Sequence, residues 1–195
     1  MSGERQVKVL FDERTIAART EALAREIAAA KPKNLLVVAI LKGSFMFAAD
    51  LLRALHRAGL EPQVEFFHLS SYLSGTVSSG TVKILRDIES SVRDRDILLV
   101  DDILESGRTL AFAKDLLTAR GARRVLVCTM LEKPGKRAVK ISADFVGFVC
   151  PDVFVVGYGM DVAHSYRELP FIGRVVTAQD ASEVEAAIPE TATRV

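Results

Sequence analysis

Asp96-Ile97-Leu98-Leu99-Val100-Asp101-Asp102-Ile103-Leu104-Glu105-Ser106-Gly107-Arg108-Thr109 is the stretch on which the fold turns. Within residues 96–100, Ile97 to Val100 form a short apolar run of the kind found in strands buried on both faces of a parallel sheet, and the run halts at two carboxylates. A short turn follows, and a helical pattern then extends from about residue 106 to 120 and stops at Gly121. Working outward, the same order recurs. Residues 35–41 are continuously apolar, Lys42-Gly43-Ser44 ends them, and Ala48, Leu51, Leu52 and Leu55 return at helical spacing before Gly59. Ahead of this unit, residues 13–31 place Ile16, Leu23, Ile27 and Ala30 on one helical face behind an Asp12 cap. Further strand patterns fall at 64–69, 82–85, 124–130 and 145–149. Strands alternating with helices predict a doubly wound α/β fold on a mainly parallel sheet. A chain of 195 residues, 49% hydrophobic, can bury one substantial core, so a single domain over 1–195 is expected.

Composition narrows the function. The 26 basic and 25 acidic residues are interspersed, which argues against a dedicated nucleic-acid binder. Cys128 and Cys150 lie in apolar runs and read as buried thiols, in keeping with a reducing, cytoplasmic setting. The opening residues lack a signal peptide's apolar stretch, and no segment approaches the ~20 apolar residues of a membrane span. His56, His68 and His164 have no metal-ligand spacing. Residues 70–81, rich in serine and glycine, predict a flexible loop, and the tail after Thr177 is weakly patterned.

In open α/β sheets ligands bind beyond the carboxyl ends of strands, so the acidic pair carries the chemistry. Amides at the start of the following helix, with the Ser106 and Thr109 hydroxyls, can hold a phosphate, and Gly107 allows close backbone approach. Asp101 and Asp102 suit ribose hydroxyls and a hydrated magnesium ion, which prefers hard oxygen ligands. An isolated acidic pair can also simply cap a turn.

The order of apolar strand, acidic pair, further acid, Ser-Gly and Thr resembles the signature of the type I phosphoribosyltransferases. Leu41-Lys42-Gly43-Ser44, Ser71-Tyr72, Leu131-Glu132-Lys133-Pro134, Val153-Phe154-Val155-Val156-Gly157-Tyr158 and Asp161 narrow the likeness to the hypoxanthine-guanine phosphoribosyltransferases, over about residues 8–176. The resemblance implies transfer of a 5-phosphoribosyl group from 5-phosphoribosyl 1-diphosphate to an oxopurine base with magnesium (Mg2+) as cofactor. It also implies a small hood over the base, built from the N- and C-terminal segments, and a homodimer or homotetramer.

The residue roles it implies are specific. Backbone amides at Lys42 and Gly43, beside a non-proline cis peptide, would hold the departing diphosphate, with Arg167 binding it as well. Asp101, Asp102 and Asp161 would be the magnesium-linked carboxylates. The 102–109 loop, including Ile103, Leu104 and Arg108, would hold the sugar phosphate. Ser71 and Tyr72 would tip a closing lid. Lys133 would donate to the purine 6-carbonyl, Phe154 would stack on the ring, and the Val155 backbone would read its edge. Glu105 stands where the family motif usually has aspartate, the base that takes the purine N7 proton. It keeps the carboxylate and adds one methylene. Two alternatives accompany this reading: a regulatory protein that binds the same donor, RNA-binding included, and an enzyme for another base such as xanthine.

Overall fold

The computed structural model describes residues 6–71 and 82–176, with the backbone alone at Ser71. In chain order its elements are β1 (Gln6–Phe11), α1 (Glu13–Ala29), β2 (Leu36–Leu41), α2 (Phe45–Arg57), β3 (Gln63–Ser71), β4 (Val82–Arg86) and β5 (Asp96–Leu104). There follow α3 (Arg108–Ala119), β6 (Arg124–Glu132), a 3-10 turn (Pro134–Lys136), β7 (Phe145–Val149), β8 (Val155–Val156) and β9 (Ile172–Val176). Tyr72, most of the expected 70–81 loop and the tail from 177 onward lie outside the described residues.

Six strands form the main sheet in the order β4-β3-β2-β5-β6-β7, parallel except for β4 at one edge. Burial on both faces explains the continuous apolar runs. Val37, Ala39, Leu98, Val100 and Cys128 face Ile16, Leu23 and Ile27 of α1 and Phe47, Leu51 and Leu55 of α2. The alternate residues Leu36, Val38, Ile97, Leu99 and Val127 face Leu110, Ala113 and Leu117 of α3. The Asp12 side chain caps α1 by accepting from the Thr15 amide at 2.7 Å. Both cysteines are free and buried, and burial pushes the Cys128 thiol far up. Among the described residues no helix is long and apolar enough to cross a membrane.

One feature departs from the sequence reading and another adds detail to it. First, β5 does not stop at the acidic pair. It continues to Leu104, because β6 stays paired with it from Asp101↔Thr129 to Leu104↔Glu132. Second, β1, β9 and β8 form a separate three-stranded antiparallel sheet. Its pairing joins Gln6 to Val176, and it packs on the α1–α2 side of the core through Val155, Ile172 and the stacked rings of Phe11 and Phe148, 4.2 Å apart.

Asp96 anchors the start of β5. Its fully buried carboxylate accepts from the Lys33 amide at 2.8 Å and from Arg124 at 2.9 Å, and pairs with Arg123. Burial pushes its carboxyl up, but the Lys33 amide and the two guanidinium groups outweigh that and hold it below the usual range. Asp96→Ala is expected to cost about 1–3 kcal/mol. A fully buried pair would lose more, but Arg123 and Arg124 keep 42% and 36% side-chain exposure, so water solvates the charges left behind. A depressed carboxyl stabilises above its unfolded pKa and loses that contribution as pH falls through the folded value. Urea unfolding at neutral pH should therefore separate wild type from variant, and the gap should narrow on acidification; equal midpoints at neutral pH would refute the anchor.

Candidate functional site

Pairing between β2 and β5 ends at Ala39↔Val100, whereas β2 runs on with β3 to Leu41↔His68 and β5 runs on with β6. The two central strands therefore part where strand order reverses, and a crevice opens between their carboxyl ends. The Leu41–Lys42 peptide is cis. Gly43 lies so close to β5 that a Cβ there would sit 1.8 Å from Asp102 Oδ2. Gly159, at φ +99°, approaches in turn from the segment after β8, where a Cβ would lie 2.1 Å from the Gly43 carbonyl oxygen. Arg167 donates to the Gly159 carbonyl at 2.6 Å and pairs with Asp161 at 2.7 Å.

On one side of Asp102 is a cavity of about 280 Å³, lined by Leu41, Gly43, Asp101, Ser106, Gly107 and Thr109 among others. The Gly107 cap of α3 offers no side-chain acceptor to the first-turn amides. On the other side is a cavity of about 340 Å³, lined by Lys133, Lys136, Asp152, Phe154, Val155 and Asp161. Asp102, Ile103 and Glu105 line both.

Burial, reinforced by the neighbouring Asp102 charge, drives the Asp101 carboxyl well above the usual range. Asp102 is raised by burial too, against the opposing pull of Asp101, the Ile103 amide and the Arg167 charge. Two adjacent acids in so poorly solvated a place call for a cation. Among the described residues no group of three or more His, Cys, Asp or Glu could hold a metal alone. The pair could supply one or two hard oxygen ligands to a hydrated magnesium ion.

In the second cavity Lys133 is 7% exposed and its Nζ lies 3.4 Å from Glu105 Oε1. Lys136 Nζ lies 3.7 Å from the same oxygen and 2.6 Å from Asp152. Arg137 braces the backbone below, donating to the carbonyls of Leu104 at 2.7 Å and Glu105 at 2.6 Å and pairing with Glu132. Phe154 is 58% exposed, an uncovered ring at the cavity wall.

Most residues singled out from the sequence thus surround the two cavities, but not all. Leu104 turns its side chain into the α3-facing core, and its carbonyl is already taken by the Lys133 amide and Arg137. Lys42, Arg108 and Arg167 line neither cavity. Ser71 is placed only by its backbone pairing with Val82. Sequence reasoning missed Lys136, Asp152, Arg137 and Met160. For Lys136 a signal existed, since Pro134-Gly135 invites a tight turn that brings a residue three after Lys133 back to the same wall.

Comparison with known proteins places this geometry. Residues 6–163 match the model of the phosphoribosyl transferase domain. The bifunctional protein TilS/HprT of Listeria innocua is 47% identical over 85% of this chain but only 25% of its own, so the chain spans about a quarter of that relative. The hypoxanthine phosphoribosyltransferase of Escherichia coli K12 is 41% identical over 87% of this chain and 96% of its own. The crystal structure of a hypoxanthine phosphoribosyltransferase from Staphylococcus aureus superposes with a TM-score of 0.82 at 39% identity, covering 87% of this chain and 91% of that one. Matched by the family model over most of its length, and by hypoxanthine phosphoribosyltransferases over nearly the whole of theirs, the chain belongs to the phosphoribosyl transferase family, among its hypoxanthine phosphoribosyltransferases.

Proposed function

We propose that this protein transfers the 5-phosphoribosyl group from 5-phosphoribosyl 1-diphosphate to hypoxanthine, and to guanine, giving IMP or GMP and diphosphate in purine salvage. The observation that carries the reading is the pair of cavities meeting at Asp102 and Glu105. One has the anion-binding start of a helix beside two carboxylates, and the other has a buried ammonium beside an aromatic ring. Sugar phosphate and base would thereby be held on either side of one reacting carbon.

The first-turn amides of α3 with Ser106 and Thr109 hold the 5-phosphate. Asp101 and Asp102 accept from ribose hydroxyls, and the Lys42–Gly43 amides face the departing diphosphate, with Arg167 adding positive charge. Magnesium fits the buried acidic pair, with Asp161 as a further carboxylate, and when bound supplies charge neutralisation for the diphosphate. Glu105 takes the N7 proton, Phe154 stacks on the purine, the Val155 backbone reads its edge, and the small β1-β9-β8 sheet serves as the hood. Ser71 and Tyr72 are assigned to a lid that excludes water. A homodimer or homotetramer is part of the same reading, and sedimentation measures it.

The deciding experiment incubates the protein with magnesium, donor and hypoxanthine, guanine, xanthine or adenine in turn and identifies the nucleotide by mass. IMP and GMP are expected; no nucleotide from any base would refute the proposal. Lys133 donates to the 6-carbonyl, a contact adenine cannot accept. Lys133→Ala is therefore expected to lower kcat/KM for hypoxanthine about 10- to 100-fold, the loss of one charge-assisted hydrogen bond in a poorly solvated site. The KM of the donor should change far less, and an equal loss on both substrates would instead indicate a damaged fold.

A further inference from the structure

Glu105 bridges two ammonium groups. Its Oε1 lies 3.4 Å from Nζ of Lys133, which is buried at the floor of the base cavity, and 3.7 Å from Nζ of Lys136, which stands half-exposed at the rim. Resting on the function proposed above, this poses a problem for base binding. The buried lysine meant for the purine 6-carbonyl is already engaged by a carboxylate, a stronger acceptor than a neutral carbonyl. Were Lys133 the sole cation in reach, an entering base would have to strip Glu105 of its counter-charge in a half-buried place.

Lys136 removes that obstacle. The 3-10 turn over Pro134–Lys136 swings it back beside Lys133, and Asp152 holds its ammonium 2.6 Å away. The carboxylate of Asp152 also competes with Glu105 for Lys136, so Glu105 is paired there without being pinned. The extra methylene of a glutamate lets the carboxylate span both lysines.

We propose that Lys136 is a positioning residue that takes the Glu105 carboxylate over from Lys133 as the oxopurine enters, freeing Lys133 for the 6-carbonyl and leaving Glu105 ionised beside the purine N–H. Asp152 sets where the rim ammonium stands. An exposed ion pair with no such link would contribute little, because solvent and salt screen it. The hand-over makes Lys136 matter for the base and not for the donor, and only while Glu105 carries a charge.

Initial rates at saturating donor and magnesium, with hypoxanthine varied, test this in wild type, Lys136→Met, Lys136→Arg, Glu105→Gln and the Glu105→Gln/Lys136→Met double variant. Lys136→Met is expected to raise the KM for hypoxanthine about 10-fold, with coupling of that order confined to the pair. The donor KM and the melting temperature should stay unchanged, and Lys136→Arg should restore most of the loss. In the Glu105→Gln background, the Lys136→Met change should shift the hypoxanthine KM less than about 2-fold. An unchanged hypoxanthine KM in Lys136→Met, or an equal rise in both backgrounds, would overturn the hand-over while leaving the enzymatic reading in place. A wild type that forms no nucleotide would overturn both.

Discussion

Glu105→Gln is expected to slow nucleotide formation about 10²- to 10⁴-fold, the range in which a positioned general base contributes. The change is isosteric, so packing against the 102–109 loop survives and the backbone stays braced by Arg137. What disappears is the capacity to accept a proton and the charge between Lys133 and Lys136. Wild type should outpace the glutamine variant throughout, because a neutral amide cannot take the proton. Glu105→Asp should lie between them. It withdraws the oxygen by roughly one methylene, and a displacement of that size can cost up to ~10²-fold, but the carboxylate remains and the loop can follow it. A wild-type rate indistinguishable from that of Glu105→Gln would remove Glu105 from the chemistry.

Asp102→Ala is expected to lower magnesium-dependent turnover by at least ~10²-fold, through lost charge stabilisation on the leaving-group side. Asp102 lines both cavities and carries the oxygen against which the Gly43 backbone is laid. Asp102→Asn keeps that shape without the charge and should be nearly as slow, which separates electrostatics from packing. Stability should move the other way. Burial raises both carboxyls of the pair, and an acid raised on folding weakens the fold as pH climbs above its unfolded value. Without metal, Asp102→Asn should therefore melt above wild type near neutral pH, with the difference closing below about pH 4, the ordinary carboxylate range. An active site that strains its own scaffold in this way exchanges stability for function. Full activity in both variants would sink the assignment, and a lower melting temperature for the asparagine variant would sink the electrostatic account.

The sequence by itself determined whatever depends on neighbours along the chain. Apolar runs at β2, β5 and β6 can be satisfied only by a sheet covered on both faces, and the helical spacing of α1 and α2 supplies one of the covers. Asp12 caps α1 from three residues away, so its role could be read locally. The polar residues that end β2 and follow β6 had to lie along one rim, because parallel strands put all their carboxyl ends on the same side. Tertiary structure alone decided the rest. The β1-β9-β8 sheet joins residues as far apart as Gln6 and Val176, and its short, half-exposed strands carry no pattern stronger than their surroundings. The extension of β5 through Asp101 and Asp102 follows from where β6 continues and β2 lets go, a property of two partners and not of β5. Asp152 and Arg137 were illegible for the same reason, and only the Pro134-Gly135 turn marked Lys136. A surface lysine, a surface aspartate and an arginine acquire meaning only when the fold brings Lys136 within ion-pair distance of Glu105 and Asp152, and Arg137 within that of Glu132.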